Sequence, residues 1–406
     1  MMNQRELKGL RIAASPNIRQ VGDTWIVPSQ HKTGKSYTVR LGPNPACTCP
    51  DFESTRQRCK HIYAIDRRIH PEPITETREP PRRPTYKQEW PAYNKAQTNE
   101  KGHFQALLYS LCQGIEERVQ TFGRPRLPLA DMLFAVVLKV YCGFSTRRTT
   151  SDLREAQQRG YVKRTPHFNS LSNYMEAEWL TAYLHALITE SSLPLKAVEC
   201  DFAVDSSGFS TNTYSRWVEV KWGNVRLQNS GVEAENHKQQ VWLKAHLMCG
   251  VKTNIVTSCI ITDKDAGDSP QFGGLVNATA ENFVLSEVSA DKAYSSRPNL
   301  KLVASKAATP YIDFKVNAKA NPKDATWTRF YHFYAYNQEW FKAHYHKRSN
   351  VETTFSMIKG KFGGSLKSKS YQAQANELLC KILCHNVCCL IQSIYELGIE
   401  PTFWSE

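Results

Sequence analysis

Six prolines fall among charged residues between Pro71 and Pro91. Proline lacks an amide hydrogen and its ring clashes with the turn before it, so this stretch forms neither a helix nor a central strand. It reads as part of a proline-rich linker over residues 71–101, dividing the chain into pieces that fold on either side. The piece ahead of it, residues 1–70, is small for a hydrophobic core of its own. The piece behind it is long, and its pattern changes once. Residues 102–195 carry helical periodicity with no β-rich run, and residues 196–406 alternate strand-like and helix-like segments.

The short piece holds two tight pairs of metal-ligating residues. Cys47-Thr-Cys49 is followed, after nine residues, by Cys59-Lys-His61. Zinc takes four tetrahedral sulfur and nitrogen ligands, and small domains use it where a core is lacking. Strand-like Thr24–Val27 and Ser36–Arg40, with Lys32-Thr-Gly-Lys35 as the turn, predict a β-hairpin ahead of the cluster. Met1–Ser15 has no continuous apolar run of the kind a signal peptide needs. The 12 cysteines are therefore read in a reducing, intracellular setting, as ligands or core residues. The hairpin, the cluster and Pro50-Asp-Phe52 together resemble the SWIM zinc finger, over about residues 20–70. That resemblance implies a structural Zn2+ on Cys47, Cys49, Cys59 and His61, and a role in binding either DNA or protein. Arg56, Arg58, Lys60, Arg67 and Arg68 nearby suit phosphate contacts or an ordinary charged surface.

In the long piece, helices are expected over His103–Thr121, Leu129–Cys142, from Ser145 or Thr146 to about Gln158, and over Asn169–Thr189. Strands are expected over Val198–Phe209, Val241–Asp263 with Lys252-Thr-Asn254 as a hairpin turn, Phe283–Ala290 and Pro310–Val316. A short helix should start near Asp268-Ser-Pro270, and a long one should carry Glu352. Such an order is that of a mixed α/β sheet flanked by helices. No stretch is expected to span a membrane, since the apolar run Leu133–Val140 is short and contains Lys139.

Three acids stand out against this frame. Phosphodiester cleavage with two metal ions needs carboxylates that converge from different elements, and Mg2+ takes oxygen ligands. Asp205 lies in Phe202-Ala-Val-Asp-Ser-Ser-Gly208, where small residues after an apolar strand allow close approach of metal and DNA. Glu199 and Asp201 share its face by period two, as decoys or helpers. Asp291, in Val288-Ser-Ala-Asp-Lys-Ala-Tyr294, sits at a strand end. Glu352 belongs to a line of four residues, with Tyr345, Arg348 and Lys359. At ~100° per residue of helix these four fall within an arc of about 60°. A salt-bridged solvent face would look similar.

Tyr345-x2-Arg348-x3-Glu352-x6-Lys359 matches the signature of a large group of bacterial insertion-sequence transposases of the DDE class. Asp205-Ser-Ser-Gly and Asp291-Lys-Ala-Tyr look like the two aspartate segments of the same group. The resemblance covers roughly residues 100–395. It implies a ribonuclease-H-like core in which Asp205, Asp291 and Glu352 hold two catalytic Mg2+ ions. It also implies that Tyr345, Arg348 and Lys359 contact the transposon end. Only 60 residues separate Asp291 from Glu352, too few for the large β-rich insertion that some relatives use in forming a DNA hairpin intermediate.

The formal net charge is +14 and the pI about 9.2, which suits a polyanionic partner. On the transposase reading that partner is double-stranded DNA, as transposon ends and target, bound by a homodimer in the nucleoid-associated cytoplasm of a prokaryote. The helical residues 102–195 are then the expected end-binding region, for instance through a helix-turn-helix. A transposase-derived zinc-dependent DNA-binding or adaptor protein without catalysis is the alternative. A nuclease without strand transfer is a third reading. Lys244 and His246 are expected either near the active site or as a half-buried or surface pair. Cys380, Cys384 and Cys388 beside His385 read as a core helix more readily than as a metal site. Lys359, Lys361, Lys367 and Lys369 form a basic strip, along DNA or simply solvated.

Overall fold

The computed structural model describes residues 4–13, 17–29, 35–69, 89–120, 123, 125–211, 242–315 and 317–404. The residues expected as a turn at 32–34 lie outside these, as do most of the linker, Val241 and Val316. The chain divides into two compact units, Met1–Glu79 and Pro80–Glu406.

The first unit begins with α1 (Gln4–Ala13). A four-stranded antiparallel sheet follows, in the order β1 (Arg19–Val21), β2 (Thr24–Pro28), β3 (Ser36–Arg40), β4 (Ala46–Cys47). The expected hairpin is its centre, with Trp25 opposite Val39. Two helices complete it, α2 (Pro50–Thr55) and α3 (Lys60–Ile69). Ile12, Ile18, Val27, Val39, Ile62 and Ile65 make a small core around the three cysteines. Helices α1 and α3 approach closely at Gly9, where a Cβ would stand 2.7 Å from that of Tyr63.

The second unit opens with helices α4 (Trp90–Thr98), α5 (Glu100–Gln113), α6 (Leu129–Cys142), α7 (Thr149–Gln158), α8 (Phe168–Met175) and α9 (Glu178–Ser192). The expected linker thus ends in a helix, with Pro91 in its first turn, where proline costs nothing. Helix α6 has the expected limits and stops at Gly143, whose φ of 69° only glycine adopts freely. Helix α5 stops at Gly114, short of Thr121. The single helix expected over Asn169–Thr189 is broken at Ala177. The Asn376 amide donates to the carbonyls of Met175 (2.8 Å) and Ala177 (3.1 Å), satisfying the groups that the break frees.

A five-stranded mixed sheet comes next: β5 (Asp201–Ser210), β6 (Trp242–Gly250), β7 (Val256–Asp263), β8 (Glu287–Ala290) and β9 (Thr309–Ile312), in spatial order β7-β6-β5-β8-β9. β5 to β7 are antiparallel neighbours, whereas β8 and β9 run parallel to β5. Asn254 takes the left-handed turn (φ 61°) between β6 and β7. The remaining helices are α10 (Asp268–Ala280), α11 (Arg297–Ser305), α12 (Ala325–Tyr336), α13 (Gln338–Tyr345), α14 (Ser349–Phe362) and α15 (Tyr371–Leu397). Alternation along β5 sorts two cores. Phe202 and Val204 pack with α10 to α12, while Ala203 and Phe209 pack with α14, α15 and the N-terminal helices. The helices of residues 102–193 therefore share a core with the sheet.

Helix α15, with 27 residues, is long and apolar enough to cross a bilayer, contrary to expectation, yet it runs through the protein core. Its buried polar residues are all engaged. Asn386 accepts from Val256 N (2.9 Å) and donates to Val256 O (2.7 Å), Ile188 O (3.2 Å) and Ser191 Oγ (3.0 Å). Asn386→Leu would leave these groups unpaired in the core. It should lower stability by about 2–4 kcal/mol, read as a reduced guanidinium midpoint at unchanged slope.

Candidate functional site

In the first unit, Cys47, Cys49, Cys59 and His61 are all buried, and their ligand atoms lie within 4.8 Å of one another. The Cys47 and Cys59 sulfurs stand 3.8 and 3.9 Å from His61 Nδ1. Tetrahedral zinc with ordinary bond lengths would set such pairs about 3.6 Å apart. β4 ends in Cys47, the Cys49 sulfur caps α2 by accepting from Phe52 N (3.4 Å), and Cys59 and His61 sit at the start of α3. His61 turns Nδ1 toward the sulfurs, and its buried Nε2 has no hydrogen-bond partner among the described residues. The hydrogen bond from Cys47 holds the Cys59 thiol down to about 3, and that same bond with burial pushes Cys47 up. Crowded thiols that cannot all ionise on their own are what a divalent cation relieves. The donor set fits Zn2+.

In the second unit, β5 and β8 run side by side in register, Val204 opposite Ala290. The next residue on each strand is an acid, Asp205 and Asp291. Asp205 Oδ1 accepts from Ser206 N (2.8 Å), and Asp291 caps the short 3-10 turn Lys292–Tyr294 by accepting from Lys292 N (2.7 Å). Above them the long helix expected around Glu352 is three pieces: α13, a 3-10 turn over His346–Arg348, and α14. Tyr345 ends the first, Arg348 the second, and Glu352 lies in the first turn of the third. The tighter turn still delivers all of them to the strands. Arg348 bridges two acids, reaching Asp205 at 3.2 Å and Glu352 at 2.8 Å. Tyr345 Oη lies 3.5 Å from Asp291 Oδ1, and the Arg348 guanidinium stands 5.8 Å from the Tyr345 ring centre. Farther along the same face of β5, Lys359 donates to Ser207 Oγ (2.7 Å) and lies 5.0 Å from the Phe209 ring centre. Burial raises the Asp205 pKa, with Asp291 and Glu352 adding to the rise while Ser206 N and Arg348 oppose it. The structure thus brings all six residues together along one face of β5 and the end of β8. Asp205, Asp291 and Glu352 are oxygen donors of the kind Mg2+ takes, with Arg348 standing between Asp205 and Glu352.

Residues 196–387 match the model of the transposase DDE domain, and residues 37–65 match that of the SWIM zinc finger. The chain carries a DDE transposase domain behind a SWIM zinc finger. No curated protein and no solved structure matches it.

Within the DDE domain the neighbouring acids have other partners. Glu199 is buried and accepts from Lys252 N (3.2 Å), Thr253 N (2.5 Å) and Thr253 Oγ1 (2.7 Å), holding the β6–β7 turn. Asp201 receives Lys347 Nζ (2.6 Å), which also donates to Glu287 (2.7 Å), itself 2.8 Å from His344. Glu287, His344 and Lys347 were not singled out in the sequence. Lys347, next to Arg348 in the signature and five residues before Glu352, whose i,i+4 cation is Arg348, was the available signal. Lys244 and His246 lie on the opposite face of the sheet from Asp205. Lys244 is paired with Asp268, and His246 is fully buried with its pKa driven down to about 4 by burial. His385 bonds the Asn254 carbonyl (2.9 Å) in the core. Lys361 is bound to Glu100.

The SWIM finger should carry one zinc per chain by atomic absorption. Cys59→Ser should lose it and remove the first of two thermal transitions, leaving the DDE domain folded. A metal-free wild-type protein that keeps both transitions would refute the zinc assignment.

Proposed function

We propose that this protein is a DNA transposase that cleaves transposon ends and joins the freed 3′-hydroxyl to target DNA by phosphoryl transfer. What supports the reading most is the convergence of Asp205, Asp291 and Glu352 around Arg348 in a domain of the transposase DDE family. The strand order, with three antiparallel strands and two parallel ones added beside the first, suits a ribonuclease-H-like fold. Two Mg2+ ions held by the three carboxylates would supply an activated attacking oxygen and neutralise charge on the reacting phosphate.

The chain's own groups have distinct tasks. Asp205, within β5, is held by Ser206 N and Arg348, and Asp291, just past the end of β8, by Lys292 N. Glu352 is half exposed and approaches from the helix side. Arg348 holds the acids together and, with Tyr345 and Lys359, binds phosphates of the transposon end. Two ends must be processed together, so the working form is a homodimer on DNA in the prokaryotic cytoplasm, at the nucleoid. The SWIM finger adds DNA or protein contacts.

Asp205→Asn, Asp291→Asn and Glu352→Gln should each abolish cleavage of end DNA while leaving binding largely intact, and combining them should add little. Lys359→Ala should instead weaken end binding, with cleavage partly recovered at high protein concentration. Mn2+ should replace Mg2+, and Ca2+ should support binding only. Retained cleavage in any of the three acid variants would overturn the assignment.

A further inference from the structure

Among the helices ahead of the DDE domain lies an open cleft of about 560 Å³, lined by Phe144, Arg147, Arg148, Arg154 and Phe168 with two hydroxyl residues. Arg148, just ahead of α7, and Arg154, within it, both line the cleft. Both are exposed, and among the described residues neither guanidinium has an ion pair. Arg147 stands over the Phe168 ring at 4.9 Å. The acids of α7 turn the other way: Asp152 pairs with Lys101 (3.3 Å), and Glu155 with Lys101 (3.4 Å) and Arg159 (2.6 Å). No acid lines the cleft among the described residues. An uncompensated group of three arginines is costly to hold together unless an anion sits among them.

The cleft is tied rigidly to the active site. β5 leads from Asp205 past Ser207, where Lys359 docks, to Ser210. Ser210 exchanges hydrogen bonds with the segment after α14, donating to Gly364 O (3.0 Å) and accepting from Leu366 N (2.7 Å). The next residue, Lys367, reaches the Gly143 carbonyl at 2.6 Å, beside Phe144. The route from Asp205 to the cleft is on the order of 20–30 Å by strand geometry, or roughly 6–9 base pairs of duplex.

We infer that the Arg147–Arg148–Arg154 cleft, with Lys367 at its edge, grips the phosphate backbone of the DNA duplex whose end lies at the three acids. The inference rests on the transposase reading and adds to it a second, sequence-independent anchor. Guanidinium groups offer paired donors suited to phosphate oxygens, and the aromatic rings flank the sugar–phosphate edge. Contacts of this kind set register and leave base reading to other residues.

The test uses the full chain and a 30-base-pair duplex of arbitrary sequence. Wild-type affinity is measured against salt, beside R148A/R154A and R148E/R154E. Loss of two phosphate contacts should reduce the slope of log K against log salt by about 2, with the charge reversal weakening binding further. The thermal transitions should not move, because among the described residues the two side chains have no ion pairs to lose. A wild-type slope retained in both variants overturns the cleft while leaving the transposase reading intact. Absence of salt-dependent duplex binding by the wild type overturns both. If the substitutions weaken binding to phosphatidylserine vesicles and leave the duplex slope unchanged, the surface faces a membrane and the inference fails.

Discussion

The buried pair Glu377 and Lys381 on α15 is the constraint from which the site geometry follows. Lys381 is almost fully buried and donates to the carbonyls of Gly363 (2.9 Å) and Ser365 (2.7 Å). Glu377 accepts from the backbone of Lys367 (3.0 Å) and Ser368 (2.8 Å). Together they hold the segment that leaves α14, and that segment is bonded to Ser210 at the end of β5. Helix α14 is thereby pinned along the same strand that carries Asp205. Removing one partner of such a buried pair typically costs 3–5 kcal/mol, since the other charge is left uncompensated. Here the penalty would fall on the position of Glu352 and Lys359 as well as on stability.

Charge balance explains why two similar acid pairs on one face behave differently. β5 and β8 present Asp201 with Glu287, and four residues on, Asp205 with Asp291. The 3-10 turn His346–Arg348 sends one cation to each pair. Lys347 joins Asp201 and Glu287, with His344 completing a closed network. Arg348 faces three carboxylates, because Glu352 is added from α14. The first set has Lys347 and His344 against two carboxylates, and the second has Arg348 against three. Burial is the main cause of the upward shift of Asp205, and the neighbouring acids Asp291 and Glu352 add to it. The second set, with more carboxylates than cations to answer them, is the one that suits the proposed Mg2+ site, although both are made of oxygen donors.

What could be read from the sequence was what local rules determine. The limits of α6 followed from apolar periodicity and Gly143, the β6–β7 turn from Lys252-Thr-Asn254, and the zinc cluster from ligand spacing. What could not be read was set by residues distant in the chain. The break between α8 and α9 depends on Asn376, some two hundred positions away. The apolar length of α15 was hidden by Asn376, Glu377, Lys381 and Asn386, which are polar in composition but paired inside the core. The four signature residues were placed on one face by assuming an unbroken helix. They come together along β5 and the end of β8 through a tightened turn instead, because helical backbone continues across Tyr345 (φ −57°, ψ −36°) and Arg348 (φ −52°, ψ −32°). Asp201 could not be told from Asp205 by strand period alone. The difference lay in which cation of the following turn each acid met.

The same reasoning relocates the chain's excess charge. An internal ion pair removes one cation and one acid, so Lys101, Lys244, Lys347, Lys361 and Lys381 cancel against acids without changing the net of +14. The excess must then sit on side chains without such partners. Among the described residues of the second unit, Arg147, Arg148, Arg154 and Lys367 are exposed cations of this kind. Lys361 and Lys367 belong to one basic run in the sequence, but Lys361 is spent on Glu100 and Lys367 is presented outward. A run of lysines is therefore a poor guide to a polyanion surface until each has been matched with its acid, and the matching is a property of the fold.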